Sequence, residues 1–290
     1  MVKIGIIGTE NSHAMAFTKL FNQPGANGEV RHPGYRVTGV FGPIVETAEK
    51  VVQEGGAEYI AGDFTELLDK VDALMVTSRR GSVHHQYAVP FIDAGMPVFI
   101  DKPFTVDPAQ AEDIIARAKK SGAPLWGGSG FKLAYDNMLM QNAVKTMRAD
   151  GTFRGGSVNY CVVTDSEYDG FYFYAPHLTE TALMVFGMDM RAVQAFKNGK
   201  NVTVIARYDD CDVSLHYTDG TYSMTSVAYC TKGNLVRQVD STLGYPLEVD
   251  AFVRMIETRK PPECYKDLVR PVYVMNAIMK SLETGKEIAL

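Results

Sequence analysis

An acid, a lysine and a proline, Asp101-Lys102-Pro103, follow directly on the short apolar run Val98–Ile100. The run is typical of a buried strand in a parallel sheet, and Pro103 ends it because proline has no N–H to donate to a ladder. Asp101 and Lys102 would then lie at the carboxyl end of a strand, where open α/β sheets bind their ligands. A carboxylate and an ammonium group at that place are candidates for holding or acting on a ligand. Two solvated charges at a strand end would give the same pattern.

The composition is that of an ordinary globular protein, with 290 residues of which 46% are hydrophobic and 22% charged. This length is enough for two domains. A net charge of -5 argues against nucleic acid or an anionic membrane as the main partner. No apolar run is long enough to span a bilayer, and the chain enters a strand too early for a signal peptide. The four cysteines are scattered, which predicts neither a metal site nor a disulfide framework and favours the cytoplasm.

Strands alternate with helices over the first part of the chain, which predicts a doubly wound parallel sheet of the Rossmann type in residues 1–123. We predict its strands at Val2–Ile7, Tyr35–Phe41, Glu58–Ile60, Ala73–Thr77 and Val98–Ile100. Capping residues predict where the helices begin and end: Asn11 or Ser12, Gly55-Gly56, Asp63, and Asp107 with Gly122.

Residues 124–290 change pattern, because strand-like runs follow one another without helices between them. We predict strands at Gly156–Val163, Val202–Tyr208, Asp212–Tyr217 and Tyr222–Tyr229. Asp219-Gly220 between the last two is a hairpin signal. Helices are predicted at 135–148, at 174–187 and near the carboxyl terminus, where they would pack back on the body. The sequence therefore predicts a second, α+β domain with a mainly antiparallel open sheet.

Several short motifs, spread in order over nearly the whole chain, resemble the Gfo/Idh/MocA (glucose–fructose oxidoreductase / inositol dehydrogenase) family. They are Lys3-Ile4-Gly5-Ile6-Ile7-Gly8, Val76–His84, Asp101-Lys102-Pro103, Gly130-Phe131-Lys132, Pro176-His177-Leu178-Thr179-Glu180 and the tail 248–262. The resemblance implies a dehydrogenase that transfers a hydride between NAD or NADP and a hydroxyl of a sugar, polyol or sugar acid. Which of the two dinucleotides is used is left open.

The resemblance also implies the catalytic residues. The family's strand-end lysine corresponds to Lys102, which would hydrogen-bond the reacting oxygen. Its histidine base corresponds to His177, which would take the hydroxyl proton. Glu180 lies one helical turn further and would orient that ring or contact the substrate. Lys102 and His177 are then expected to face one another across a crevice and to contact one substrate hydroxyl.

The chain departs from the family pattern at the phosphate-binding loop. The Gly-x-Gly-x-x-Gly/Ala fingerprint becomes Gly8-Thr9-Glu10-Asn11-Ser12-His13, so only the first glycine remains. Glu10 brings bulk and negative charge toward the pyrophosphate, while Asn11, Ser12 and the helix start can still bind an anion. The acid that usually holds the adenosine ribose is replaced by Gly42. The aspartate usually found four residues before the histidine falls on Phe173, where neighbouring Tyr172 and Tyr174 are predicted substrate contacts.

Two arginines follow the fourth predicted strand, in Ser78-Arg79-Arg80. They are candidates for holding cofactor phosphate or an acidic substrate, although a solvated pair is an equal alternative. His84 matches a family histidine and is a candidate cofactor contact, with helix capping and packing as the alternative. The residues predicted to bind the cofactor are Gly8, Thr9, Glu10, Asn11, Ser12, Ser78, Arg79, Arg80, His84, Asp101 and Lys102. Asp101, Tyr172, Tyr174 and Glu180 are predicted to bind substrate.

Two classes of function stay open. The first is the oxidoreductase, with a small carbohydrate-type substrate and a homodimer or homotetramer formed through the antiparallel sheet. The second is a non-catalytic relative that binds a ligand or serves assembly; an intermediate case is a sugar lyase or epimerase that uses transient oxidation. Lys102 and His177 favour chemistry, and the altered fingerprint favours binding or unusual cofactor use.

Overall fold

The computed structural model describes all 290 residues, and the contacts among them divide the chain into two compact units. The first unit consists of Met1–Gly128 and Tyr245–Leu268, and the second of Ser129–Gly244 and Val269–Leu290. None of the helices combines the length and the apolar character that crossing a bilayer requires.

The first unit is built on a parallel sheet of six strands in the order β3-β2-β1-β4-β5-β6. This confirms the predicted doubly wound sheet. Strands β4, β5 and β6 are buried along their whole length, which explains their unbroken apolar sequences. The elements are β1 (Val2–Ile7), α1 (Ser12–Asn22), β2 (Tyr35–Phe41), α2 (Val45–Lys50), β3 (Tyr59–Ile60), β4 (Ala73–Val76), α3 (His84–Asp93), β5 (Val98–Asp101), α4 (Pro108–Ser121) and β6 (Leu125–Gly128).

The capping residues of this unit act as the sequence predicts. Asn11 caps α1 by accepting from the His13 N–H, and Asp107 caps α4 by accepting from the Ala109 N–H. Asp63 also caps as predicted, by accepting from the Thr65 N–H, but the helix that it begins is a short 3₁₀ helix, Phe64–Leu67.

A helix from the carboxyl-terminal part of the chain, α7 (Gly244–Thr258), packs on the first sheet. The ring of Phe252 lies 6.1 Å from that of Phe99 on β5. Further along, Glu263 accepts a 3.0 Å hydrogen bond from the indole of Trp126 on β6. This closing segment therefore completes the core of the first unit.

The second unit holds a mixed, mainly antiparallel sheet in the order β12-β11-β7-β10-β9-β8-β13, and this confirms the predicted second fold. The pair β7 and β10 is parallel. The elements are α5 (Tyr135–Ala149), β7 (Phe153–Val162), α6 (Ala175–Phe186), β8 (Ala192–Asn198), β9 (Asn201–Arg207), β10 (Asp212–Asp219), β11 (Thr225–Cys230), β12 (Leu235–Gln238), α8 (Tyr265–Thr284) and β13 (Ile288–Ala289). Residues of α8 from Val269 onward belong to this unit.

The hairpin predicted at Asp219-Gly220 is wrong. Strands β10 and β11 pair with opposite edges of β7, so the chain crosses over β7 between them. A two-residue turn cannot make that crossing, and residues 220–224 form a longer connection. Strands β8, β12 and β13 were not predicted, because their polar or very short sequences lack a clear apolar pattern.

One face of the second sheet is covered by α6, which packs on β7 and β10. Buried and half-exposed side chains alternate along β9 and β10, as expected when only one face lies in a core. The other face mixes polar and apolar groups, with Phe196, Tyr229 and Val236 exposed. Oligomer formation through this face stays a prediction.

Candidate active site

In the first unit, the candidate site is built around the carboxyl end of β5. Asp101 is the last residue of the strand and pairs in register with Gly128 of β6. Lys102 follows at once and is only 4% exposed, and its bond to Pro103 is cis. Both residues are therefore buried, and the alternative of two solvated charges at a strand end does not apply.

The carboxylate of Asp101 is fully buried and lies against three polar groups. Oδ1 accepts from the Lys102 N–H at 2.7 Å, and Oδ2 lies 3.3 Å from the Asn11 amide and 2.6 Å from Nδ1 of His13. Burial alone would raise the pKa of Asp101. The charge and hydrogen bond of His13, together with Lys102, outweigh burial and hold that pKa below its usual value. Asp101 is thus a buried ionised carboxylate next to Lys102.

The loop between β1 and α1 lies against β4 and β2. Gly8 has φ +107, and a Cβ there would be 2.2 Å from the backbone nitrogen of Ser78, so this position needs glycine. The Asn11 side chain donates to the Thr77 carbonyl at 2.8 Å. Ser12 is exposed at the start of α1. The first glycine and the helix start therefore keep the form that a phosphate-binding turn requires.

Glu10 stands where the second fingerprint glycine would be. Its Oε1 accepts from the Arg79 N–H at 3.1 Å, so the side chain joins the loop after β1 to the loop after β4. Its Oε2 is buried without a hydrogen-bond partner. Strands β1 and β4 are neighbours at the point where the strand order reverses, which is where doubly wound sheets bind nucleotides. The carboxylate of Glu10 therefore lies across this crevice.

Thr9 fills the space beside Gly42, where the family has its ribose-binding acid. A Cβ at Gly42 would be 2.0 Å from Oγ1 of Thr9. That hydroxyl lies 2.9 Å from the hydroxyl of Thr47. A side chain at position 42 and the present position of Thr9 therefore exclude each other.

His84 is fully buried, and its Nε2 hydrogen-bonds the Ser78 carbonyl at 2.8 Å. Burial lowers its pKa, although the hydrogen bond to Ser78 and the charge of Asp101 oppose this. The side chain thus supports the loop after β4, and its contact with a cofactor stays a prediction. Arg79 is half-buried and Arg80 exposed at the carboxyl end of the same strand.

In the second unit, the candidate site is built around His177 in the first turn of α6. Its Nδ1 lies 2.7 Å from the hydroxyl of Ser129, the residue that follows β6 in the chain. The imidazole is surrounded by rings, with centroids 5.0 Å away for Phe131, 5.6 Å for Tyr160 and 5.9 Å for Tyr174. These contacts fix the orientation of the ring.

Glu180 shares the same face of α6 and is 3% exposed. Its Oε2 accepts from the Ser129 N–H at 2.9 Å and lies 3.3 Å from the ammonium group of Lys132. Glu180 therefore accepts a hydrogen bond from the serine that contacts His177, and it also forms a buried ion pair with Lys132.

The tyrosines near His177 differ in their surroundings. The Tyr172 hydroxyl donates to Asn276 at 3.1 Å, and burial raises its pKa to about 12. The Tyr174 ring packs edge-on against Phe173 and Tyr222. Phe173, which replaces the family aspartate, offers no polar group to His177. The contacts of Tyr172 and Tyr174 with substrate stay predictions.

Sequence reasoning missed Ser129, Lys132 and His13. Ser129 directly precedes the motif Gly130-Phe131-Lys132, so its position was visible but its partner was not. The contact joins residues 48 positions apart, and no local pattern predicts such a pairing.

The comparison with protein families finds a match in the amino-terminal part of the chain. Residues 2–129 match GFO_IDH_MocA, the oxidoreductase family with an NAD-binding Rossmann fold. The amino-terminal part of the chain therefore matches the NAD-binding domain of the Gfo/Idh/MocA family. The resemblance read from the motifs is thereby confirmed.

Proteins similar to this chain include inositol dehydrogenases. The scyllo-inositol 2-dehydrogenase (NADP(+)) IolU of Bacillus subtilis is 26% identical over 196 residues, which cover 65% of this chain and 56% of that enzyme. The match thus spans little more than half the length of that relative. Among solved structures, myo-inositol 2-dehydrogenase from Lactobacillus plantarum has a TM-score of 0.84 at 14% identity, covering 100% of this chain and 99% of that one.

A second solved structure, scyllo-inositol dehydrogenase from Lactobacillus casei with bound NAD(H) and scyllo-inositol, has a TM-score of 0.83 at 14% identity. It covers 100% of this chain and 99% of that one. At such identity these likenesses show the fold, which the chain shares over both units.

Proposed function

We propose that the protein is an NAD(P)-dependent dehydrogenase that oxidises a secondary hydroxyl of a cyclic polyol or sugar. The observation that carries the proposal is the buried hydrogen bond between Ser129 and Nδ1 of His177, within a cage of aromatic rings. A histidine held in this way has a fixed ring orientation, as a general base requires. The names of the inositol dehydrogenase relatives support the substrate class.

The cofactor and the residues of the chain would supply different parts of the proposed reaction. A bound NAD or NADP would supply the hydride acceptor for oxidation of the carbinol carbon. His177 would take the hydroxyl proton. Lys102, next to the ionised carboxylate of Asp101, would stabilise the negative charge that develops on the reacting oxygen. Ser129 and Glu180 keep the imidazole in the orientation that this step needs.

The backbone of the first unit fits a dinucleotide. Gly8 and the start of α1 would hold the pyrophosphate, and the β4 loop with Arg79 would line its other side. The Glu10 carboxylate must leave the Arg79 N–H for the phosphates to approach. Arg79 and Arg80 offer guanidinium groups for a phosphate. The absence of an acid at Gly42 removes the group that favours NAD, and we propose that NADP(H) binds at least as well as NAD(H).

The test is a dehydrogenase assay with myo- and scyllo-inositol, other cyclic polyols and common hexoses, each with NAD and NADP. Formation of the reduced cofactor is followed by its absorbance. We expect reduction with at least one polyol, and loss of that rate by about 10²-fold or more in His177→Ala. Equal rates in the wild-type and His177→Ala proteins would overturn the proposal.

The arrangement at Glu10 favours a second candidate, a relative that binds a polyol but no dinucleotide. A carboxylate across the crevice, with one oxygen buried and unpartnered, opposes a dianionic ligand. Thermal-shift titrations separate the two functions. Stabilisation by NAD(H) or NADP(H) supports the dehydrogenase, and stabilisation by polyols alone supports the binding protein.

We also propose that the protein assembles through the open face of the second sheet, where Phe196, Tyr229 and Val236 are exposed. Light scattering at micromolar concentration should give a dimer or tetramer. A monomer would contradict this assembly.

A further inference from the structure

His13 occupies the place of the third fingerprint glycine, at the second residue of α1. In a Rossmann turn that glycine allows close packing of the helix on the sheet. Here the position carries an imidazole, and its Nδ1 lies 2.6 Å from Oδ2 of Asp101 at the end of β5. A residue of the phosphate-binding turn therefore contacts the acid of the Asp101-Lys102-Pro103 motif directly.

Neighbouring rings hold the imidazole of His13 in one orientation. Tyr245 of α7 lies at a centroid distance of 4.8 Å and an interplanar angle of 64°, and Phe17 of α1 at 5.9 Å and 73°. The side chain of His13 is 12% exposed and that of Asp101 is fully buried. His13, which lies on helix α1, is thus packed against Phe17 of its own helix, Tyr245 of helix α7 and the end of strand β5.

Nδ1 of His13 faces the carboxylate at 2.6 Å. An ionised carboxylate has only acceptors, so this contact requires a hydrogen on Nδ1. The other oxygen of Asp101 accepts from the backbone N–H of Lys102 at 2.7 Å. The carboxylate therefore joins the imidazole on one side to the Lys102 backbone on the other, and turning it would break both contacts.

We propose that His13 is a positioning residue, which fixes the Asp101 carboxylate and through it holds Lys102 in place for the substrate. This inference rests on the proposed dehydrogenase function, in which Lys102 contacts the reacting oxygen. It assigns a function to a residue whose type breaks the fingerprint. Asn11, whose amide lies 3.3 Å from the same oxygen, contributes a second and longer contact.

Two variants of similar size separate the polar contact of His13 with Asp101 from simple packing. His13→Asn keeps an N–H close to the position of Nδ1, and His13→Leu keeps the branched shape without a donor. We expect His13→Leu to lower kcat by about tenfold or more while the dissociation constant of the cofactor changes by less than about twofold. His13→Asn should recover most of that loss. Equal kcat values in His13→Leu and the wild type, or no recovery in His13→Asn, would overturn the inference.

Two measurements decide the inference without the reaction. ¹⁵N NMR spectra of the wild-type protein should show a hydrogen on Nδ1 of His13. The chemical shift of that hydrogen should change in the Asp101→Asn variant. An unprotonated Nδ1 would refute the proposal even if His13→Leu fails to fold. In a crystal structure of His13→Leu, the Asp101 carboxylate should be turned and the Lys102 side chain displaced; an unchanged Lys102 would overturn the positioning role. If the wild type reduces no dinucleotide, the proposed function fails, while these measurements still test the link from His13 to Lys102.

Discussion

The hydroxyl of Ser129 lies 2.7 Å from Nδ1 of His177, and the backbone N–H of the same serine donates to Glu180 at 2.9 Å. One residue thus holds two polar side chains that lie one turn apart on α6. The family pattern places an aspartate four residues before the histidine, where this chain has Phe173. Ser129 supplies the polar partner of Nδ1 that Phe173 cannot supply.

The first prediction follows from this contact. Ser129→Ala removes the partner of Nδ1, so the ring loses its fixed orientation, and kcat/KM should fall by about 10- to 100-fold. Initial rates with the best polyol substrate measure it. The same serine hydroxyl accepts from the Phe131 N–H at 3.2 Å as a turn cap, so the change should also lower the free energy of unfolding by about 1 kcal/mol.

Ser129→Thr is the matched control, because it keeps a hydroxyl in the same place. It should retain most of the activity and of the stability. If Ser129→Ala and Ser129→Thr lose the same activity, the hydrogen bond has no catalytic role.

The second prediction concerns the two proposed catalytic groups. Lys102→Ala and His177→Ala should each lower kcat/KM by about 10²-fold or more, since one removes the cation that stabilises the oxygen and the other the base. Lys102→Arg, which keeps the charge with a different shape, should recover only part of the loss. Retention of the full rate in either alanine variant would remove that residue from the mechanism.

Much of the first unit could be predicted because its signals are local. Apolar runs predicted the buried strands, and Asn11, Asp107 and Gly122 predicted helix ends, since each acts on its own neighbours. The contacts of His13 with Asp101 and of Ser129 with His177 join distant parts of the chain, so no local pattern contains them. The hairpin at Asp219-Gly220 failed for the same reason. A turn signal shows that the chain bends, but the partner of β11 is decided by the free edge of β7.

The third prediction concerns Glu10. Glu10→Gly restores the second fingerprint glycine and removes a carboxylate from the crevice, so dinucleotide binding should tighten by about tenfold or more. Titration of NADPH and NADH by fluorescence measures the dissociation constants. Glu10→Gln separates charge from bulk, because it keeps the size and loses the charge. Weaker binding in both variants would mean that Glu10 helps to hold the ligand.

The fourth prediction tests why the ribose-binding acid is absent. Gly42→Asp places a Cβ about 2 Å from Oγ1 of Thr9, so the protein should lose about 1–3 kcal/mol of stability. In Thr9→Gly/Gly42→Asp most of this clash is removed, and the new carboxylate should shift cofactor preference toward NAD. Urea unfolding measures the first effect, and the ratio of kcat/KM for NAD and NADP the second. If the single variant is as stable as the wild type, Thr9 does not restrict position 42.

The last prediction concerns pH and the buried His84, whose pKa burial lowers. The unfolded chain takes up a proton at this residue near the usual pKa of about 6.5, while the folded protein keeps it neutral. The unfolded state then binds more protons, so stability should fall as pH drops below about 6.5, at up to about 1.4 kcal/mol per pH unit, until the folded pKa is reached. His84→Gln keeps a donor for the Ser78 carbonyl and does not titrate. Urea unfolding of both proteins at several pH values between about 7.5 and 5 isolates the contribution of His84, because all other histidines are common to them. The wild-type protein should lose more stability than His84→Gln over this range; parallel curves would mean that His84 takes up a proton equally well in the folded and unfolded states.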